Sequence, residues 1–170
     1  MTDIISAQEL SEHELSEPET VALIELLFFA YRDFVSDPDE ILAEFGFGRA
    51  HHRVVHFVGR DPGMTVQQLL DILRITKQSL ARVLKQLIDG GFISQRTGET
   101  DRRQRLLYTT DKGKTLAKQL VDMQARRLRN ALDAMPANCR SSAAIFLRGI
   151  MDAAEQDKVA HLIAEFAERS

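Results

Sequence analysis

The sequence predicts a mainly α-helical fold with a small β-hairpin wing, built around a helix-turn-helix. Three observations predict it. Residues 65–89 carry two short helical patterns joined by a tight turn. Residues 92–109 carry two strand-like runs around a polar, Arg-rich tip. Long amphipathic segments bracket this stretch at both ends of the chain. Helix, turn, helix, hairpin in that order over 64–113 reads as a winged helix-turn-helix.

Composition sets the frame. The 170 residues are 44% hydrophobic and 28% charged, enough for a core in a soluble chain. The longest apolar run, 21–31, is interrupted by Glu25 and falls short of the roughly 20 residues a bilayer needs. No Lys or Arg precedes Arg32, so the N-terminus lacks the basic region of a secretory signal. Cys139 is the single cysteine, which excludes an internal disulfide and suits a reducing cytoplasm.

The elements follow in order. Residues 1–17, with Glu9, Glu12, Glu14 and Glu17, are expected to form a mobile acidic tail. Pro18 suits a first helical position, and Ile24, Leu27, Phe28, Tyr31, Phe34 and Val35 follow at helical spacing. Leu23, Leu26 and Phe29 widen that face, so the helix over 18–36 needs cover on two sides. Asp37-Pro38-Asp39-Glu40 reads as an N-cap with proline at N1 and Glu at N3, opening a separate short helix that ends near Gly46. Gly48 caps a helix over 49–58 that closes at Gly59, and Asp61-Pro62-Gly63 is a turn.

Thr65 and Gln68 form a capping box for a helix with Val66, Leu69, Leu70 and Leu73 inside. Arg74-Ile75 is the tight turn, and Thr76 caps a second helix to about Asp89 with Leu80, Val83, Leu84, Leu87 and Ile88 inside. Gly90-Gly91 ends it. Phe92–Arg96 and Arg105–Thr109 are the hairpin strands. Thr110 caps a long helix to about Met135, residues 136–140 are a break, and a last helix runs from about Ser142 to Glu168. Leu147, Ile150, Met151 and Ala154, then Val159, Leu162, Ile163 and Phe166, leave that last helix with apolar stripes that ask for a partner.

Charge points to a polyanion. Net charge is −3, yet residues 74–112 hold nine Lys or Arg against four acids. The second helix of the pair exposes Thr76, Lys77, Gln78, Ser79, Arg82 and Lys85, with no acid between Asp71 and Asp89. Gln78 suits adenine and Arg82 suits guanine, while the hydroxyls of Thr76 and Ser79 suit phosphates. At the hairpin tip, among Arg102, Arg103 and Arg105, Asp101 is expected to pair with Arg103 and hold the loop, which leaves at least one guanidinium free to enter a narrow minor groove. Double-stranded DNA is therefore the expected partner. The alternative is a winged-helix module that binds protein and no DNA, against which the basic helix face argues.

Asp101-Arg102-Arg103-Gln104-Arg105-Leu106-Leu107-Tyr108-Thr109-Thr110-Asp111-Lys112-Gly113 resembles the wing motif of the MarR family of bacterial transcriptional regulators, with Thr109 where Leu is usual. Pro62-Gly63, the helix pair and Gly90-Gly91-Phe92-Ile93 fit the same pattern. The resemblance implies a homodimer whose terminal helices interlock into an intertwined dimerisation region. It implies a division into the tail at 1–17, a helical dimerisation region at 18–47 and 114–170, and a DNA-binding domain at 48–113. Two such domains would read a pseudo-palindrome with half-sites about one helical turn apart. A cytoplasmic transcription regulator, most simply a repressor, is the function implied.

Small-molecule effectors bind many such regulators. His52 and His56 stand four apart on one helix, and with Arg49 they are candidates to line an effector pocket, although structural histidines are the commoner case. His51 faces elsewhere. The histidine pair lacks the further ligands a zinc site needs, so no metal is expected, nor any cofactor. Cys139 lies in the break between helices and reads as an idle thiol, although Arg140 beside it could activate it. No phosphate loop, nucleophile elbow or paired-carboxylate site is present, so no enzyme activity is expected.

Overall fold

The computed structural model describes residues 15–98 and 101–168. The part of the acidic tail before Leu15 lies outside the described residues. Seven helices and three strands follow: α1 Glu17–Ala43, α2 Arg49–Arg60, β1 Met64–Thr65, α3 Val66–Leu73, α4 Lys77–Asp89, β2 Ile93–Thr97, β3 Arg105–Thr109, α5 Asp111–Ala134, α6 Arg140–Gly149 and α7 Ala153–Glu168, with a 3₁₀ turn at Ala137–Cys139. The chain divides into two compact units, which part between Ser36 and Asp37.

Three expected boundaries are corrected. The helix expected to stop at Ser36 runs on to Ala43, with Pro38 buried inside it. Asp37 does not turn out to cap a new helix. Its carboxylate instead accepts a fork of bonds from Arg127 of α5, Nη2 at 2.9 Å to both oxygens and Nε at 3.2 Å. The single C-terminal helix is two. Asp152 starts α7, its Oδ1 accepting from the Ala154 amide at 3.1 Å and its carbonyl from Glu155 at 2.9 Å, and Gly149 weakens the helix before it. Helix α2 runs through Gly59 to Arg60.

The sheet has the order β1-β3-β2, all antiparallel. Strand β1 was not expected. Two residues long, it carries too little alternation to read, and Met64 pairs opposite Leu107. The core lies in the second unit, where Leu42, Val54, Val55, Val58, Leu69, Leu80, Leu87, Leu107, Leu116 and Leu120 close around the helix pair and the sheet. At roughly 25 cal/mol per Å² of apolar surface removed from water, each such side chain contributes about 1.5–3 kcal/mol, before chain entropy is set against it.

Candidate nucleic-acid interface

Helix α3 begins with the reciprocal pair the sequence indicates. Thr65 Oγ1 accepts from the Gln68 amide at 3.2 Å, and Gln68 Oε1 accepts from the Thr65 amide at 2.8 Å. The helix stops at Arg74, which takes the left-handed conformation at φ 51°. Only Arg74 does so among the described non-glycine residues. Its guanidinium reaches Glu155 of α7 at 2.6 Å, tying the elbow before α4 to the C-terminal arm.

Helix α4 is capped by Thr76, whose Oγ1 accepts from the Ser79 amide at 3.1 Å and donates to Ser79 Oγ at 2.9 Å. The cap uses the Thr76 hydroxyl and leaves the Ser79 hydrogen to point elsewhere. Leu80, Val83, Leu84 and Leu87 are buried, which turns Lys77, Gln78, Arg82 and Lys85 outward. Lys77, Gln78 and Arg82 make no side-chain hydrogen bond or ion pair to a described residue, whereas Lys85 pairs with Asp89. At the far end Gly91, at φ 74°, lets the chain leave the helix into β2. That exit is bolted to α5: Thr110 Oγ1 donates to the Gly91 carbonyl at 2.6 Å and Lys112 Nζ to the Gly90 carbonyl at 2.9 Å.

The wing departs from expectation in one bond. Asp101 holds the tip, but its Oδ1 accepts from the backbone amide of Arg103 at 2.9 Å, not from the guanidinium. Arg102 and Arg103 are exposed and their guanidinium groups carry no bond to a described residue. Arg105 is engaged across the hairpin, Nη1 donating to Thr97 Oγ1 at 2.8 Å, and Arg96 lies over the Tyr108 ring at 4.7 Å.

Helix and wing meet at one groove of about 790 Å³. Its lining includes Lys77, Lys85, Ile88 and Asp89 from α4, Arg103 and Arg105 from the wing, and Val66 and Leu70 from α3. The ten residues singled out for DNA therefore fall on two neighbouring elements, α4 and the wing tip.

The residues singled out on α2 separate. His56 lines a cavity of about 830 Å³ with Phe57, Arg60, Arg74, Leu162 and Phe166. Arg49 is held by Asp39 at 3.0 Å and lies outside that cavity, as does His52. Burial pushes the pKa of both His52 and His56 down. His56 adds to the effect on His52, which Asp39 opposes, and Arg60 adds to that on His56. Among the described residues, no three His, Cys, Asp or Glu gather to hold a metal.

His51 is a site residue that local sequence patterns did not single out. It is buried, stacked on Phe47 with centroids 4.6 Å and planes 6° apart. Its Nδ1 accepts from the Gly48 amide at 3.1 Å, and its Nε2 lies 2.8 Å from Gln86 Oε1 on α4. A signal for it exists: Gly48 and His51 stand at N-cap and N3, where a side chain reaches back to the cap amide.

Comparison with known proteins agrees with this geometry. The model of the MarR family matches residues 45–104. The HTH-type transcriptional regulator PetP of Rhodobacter capsulatus is 46% identical over 131 residues, covering 77% of this chain and 79% of that protein. Among solved structures, a putative MarR family regulator from Listeria monocytogenes complexed with 26mer DNA superposes with a TM-score of 0.67 at 17% identity, over 83% of this chain and 93% of that one. Streptococcus pneumoniae FabT in complex with DNA gives 0.66 at 17% identity, over 86% and 98%. The exposed recognition face, the wing and these matches together place the chain in the MarR family of HTH-type transcriptional regulators.

Proposed function

We propose that the chain is a homodimeric repressor that binds a pseudo-palindromic operator, with α4 in the major groove and the wing tip in the adjacent minor groove. The observation that carries this is the pairing of an acid-free α4 face, Lys77, Gln78 and Arg82, with the Arg102 and Arg103 tip. Base donors and phosphate donors then sit where a duplex needs them. The solved relatives described above were crystallised with DNA, which favours the same reading. Thr76, Ser79, Lys85, Asp101 and Arg105 complete the proposed interface, Asp101 by shaping the tip.

Pairing of two chains is supported by apolar side chains left in the open. On α1, Phe28 is 67% exposed and Leu26 is 61% exposed. On α6, Ile145 is 71% exposed and Phe146 and Leu147 lie beside it in sequence. A helix with no buried residue, as α6 is, needs a partner surface. Terminal helices would then form the dimerisation region and set the spacing of the two readers.

The proposed effector contacts are Arg49, His52 and His56; the cavity beside His56 supports that residue, while Arg49 and His52 lie outside it. The protein works without a cofactor, as a non-enzymatic regulator in the cytoplasm, where the DNA is. No described helix is long and apolar enough to cross a membrane. Selection of duplex fragments by the purified protein, with its mass from sedimentation, tests the reading. Enrichment of one inverted repeat by a dimer is expected. A monomer, or no enrichment, overturns it, and an unaltered effector response in H52A/H56A overturns the effector contacts.

A further inference from the structure

We propose that His51 is a positioning residue for DNA reading, setting the rotation of α4 about its own axis through Gln86. The proposal rests on the DNA-binding reading above. Gln86 follows Gln78 and Arg82 at successive steps of four, so the three share one stripe of the helix. Holding Gln86 therefore holds the azimuth of the two side chains assigned to bases. With side chains the helix radius is about 5–6 Å, so a roll of about 10° carries a side-chain tip about 1 Å. That is enough to spoil a bidentate bond to a base edge.

The hold is built to be definite. Because Nδ1 accepts the Gly48 amide, the ring proton sits on Nε2, and Gln86 must present its oxygen. The imidazole thus donates through Nε2 in a single tautomer. Its plane is fixed by the stack on Phe47, which in turn meets Phe92 edge-on at 5.1 Å. Phe92 also meets Phe45 at 5.1 Å and carries Lys112 Nζ at 4.1 Å from its ring. Lys112 is the group that donates to the end of α4. The aromatic set of Phe45, Phe47, His51 and Phe92, with Lys112, thus holds the last turn of α4 at Gln86, Leu87 and Gly90.

A double-mutant cycle on the full-length protein tests this. His51→Phe keeps an aromatic ring on Phe47 and removes both the donor to Gln86 and the acceptor of the Gly48 amide; Gln86→Leu removes only the acceptor on α4, at an exposed helix position, and keeps helix propensity. Affinity is measured for the selected operator fragment and for a random duplex. Each variant is expected to lose about fivefold on the operator, the lower end for one weakened base contact, and nothing on the random duplex. The double variant is expected to lose no more than the singles, since one link joins them. Nitrogen-15 spectra of the histidine ring should show the Nε2-protonated tautomer in wild type. If H51F fails to fold, Q86L alone and the ring spectra carry the test. Operator affinity unchanged in Q86L, losses that multiply in the double variant, equal losses on random duplex, or the Nδ1 tautomer each overturn the proposal. A wild type that binds no duplex at all overturns the DNA reading, and this proposal with it.

Discussion

Gly113→Ala in α5 should be far more damaging than its place in a helix suggests. Alanine is the better helix former by about 1 kcal/mol, so propensity alone favours the change. At Gly113, however, a Cβ would lie 2.1 Å from the Phe92 carbonyl oxygen and 3.0 Å from its carbon. Both are backbone atoms and cannot swing aside. The start of α5 would have to withdraw by about 1.3 Å or more to reach ordinary contact. That withdrawal strains three bonds: Thr110 N to Phe92 O at 3.0 Å, Thr110 Oγ1 to Gly91 O at 2.6 Å and Lys112 Nζ to Gly90 O at 2.9 Å. At about 1 kcal/mol each, with about 1–3 kcal/mol for overpacking, the loss outweighs the propensity gain and leaves a net cost of about 3–5 kcal/mol. In a domain of this size that lowers Tm by about 6–20 °C. Gly59→Ala is the control: a Cβ there meets Thr109 Cγ2 at 3.7 Å and Ala117 Cβ at 3.9 Å, ordinary contacts, and φ lies outside the left-handed range. It should stabilise by about 0.5–1 kcal/mol. Calorimetric scans of both variants decide it. A G113A protein as stable as wild type would refute the close packing of α5 on the end of α4.

Other expectations follow from single interactions. Thr76→Ala removes the cap of α4 and should cost about 1 kcal/mol in chemical denaturation, with Thr76→Ser restoring most of it; equal stability of T76A and wild type would contradict the cap. Burial lowers the pKa of His52 and His56 in the folded state, so the unfolded chain binds their protons more readily. Stability contributed by the neutral rings is therefore full above the ordinary histidine pKa of about 6.5 and is lost as pH falls through it toward the lowered folded values. Tm measured from pH 7.5 down to 5.5 should fall less steeply in H52Q/H56Q, and an identical slope would sink this assignment. Asp101→Ala removes the acceptor that orders the tip and should weaken duplex binding in gel shifts, while Asp101→Asn, which keeps an acceptor, should retain most of it.

Much of the fold was legible because its signals are local. The caps at Thr65, Thr76 and Thr110 and the period of the α4 core are short-range patterns, and the helix-turn-helix and wing followed from them. What escaped depends on partners distant in sequence. Asp37 looked like a cap because its pairing with Arg127, 90 residues on, is invisible to a local rule. Strand β1 exists because β3 offers it a ladder. His51 read only as facing away from His52 and His56, because its partner Gln86 lies 35 residues away. The tip residue Asp101 was recognised, yet its partner atom was not, since a carboxylate three bonds from its own backbone finds a near amide before a long guanidinium. Phe166 read as part of an unpartnered stripe, but it is buried beside Phe57 and under Arg60, so α7 covers some of its apolar face within the chain.

In the proposed complex α4 reads bases in the major groove, while the wing tip enters the minor groove and neutralises the phosphates beside it. Binding of the selected operator over a range of salt, in wild type, R82A and R103A, tests this most directly. Wild-type affinity should fall steeply, with a log–log slope of about −0.9 per phosphate neutralised. Arg103→Ala should flatten that slope by about 1 for each phosphate left without its guanidinium, and should weaken all sequences alike. Arg82→Ala should leave the slope nearly unchanged and cut the preference for the operator over random duplex by about 1–3 kcal/mol for each base it no longer reads. Wild-type slope and preference in both variants would contradict the account.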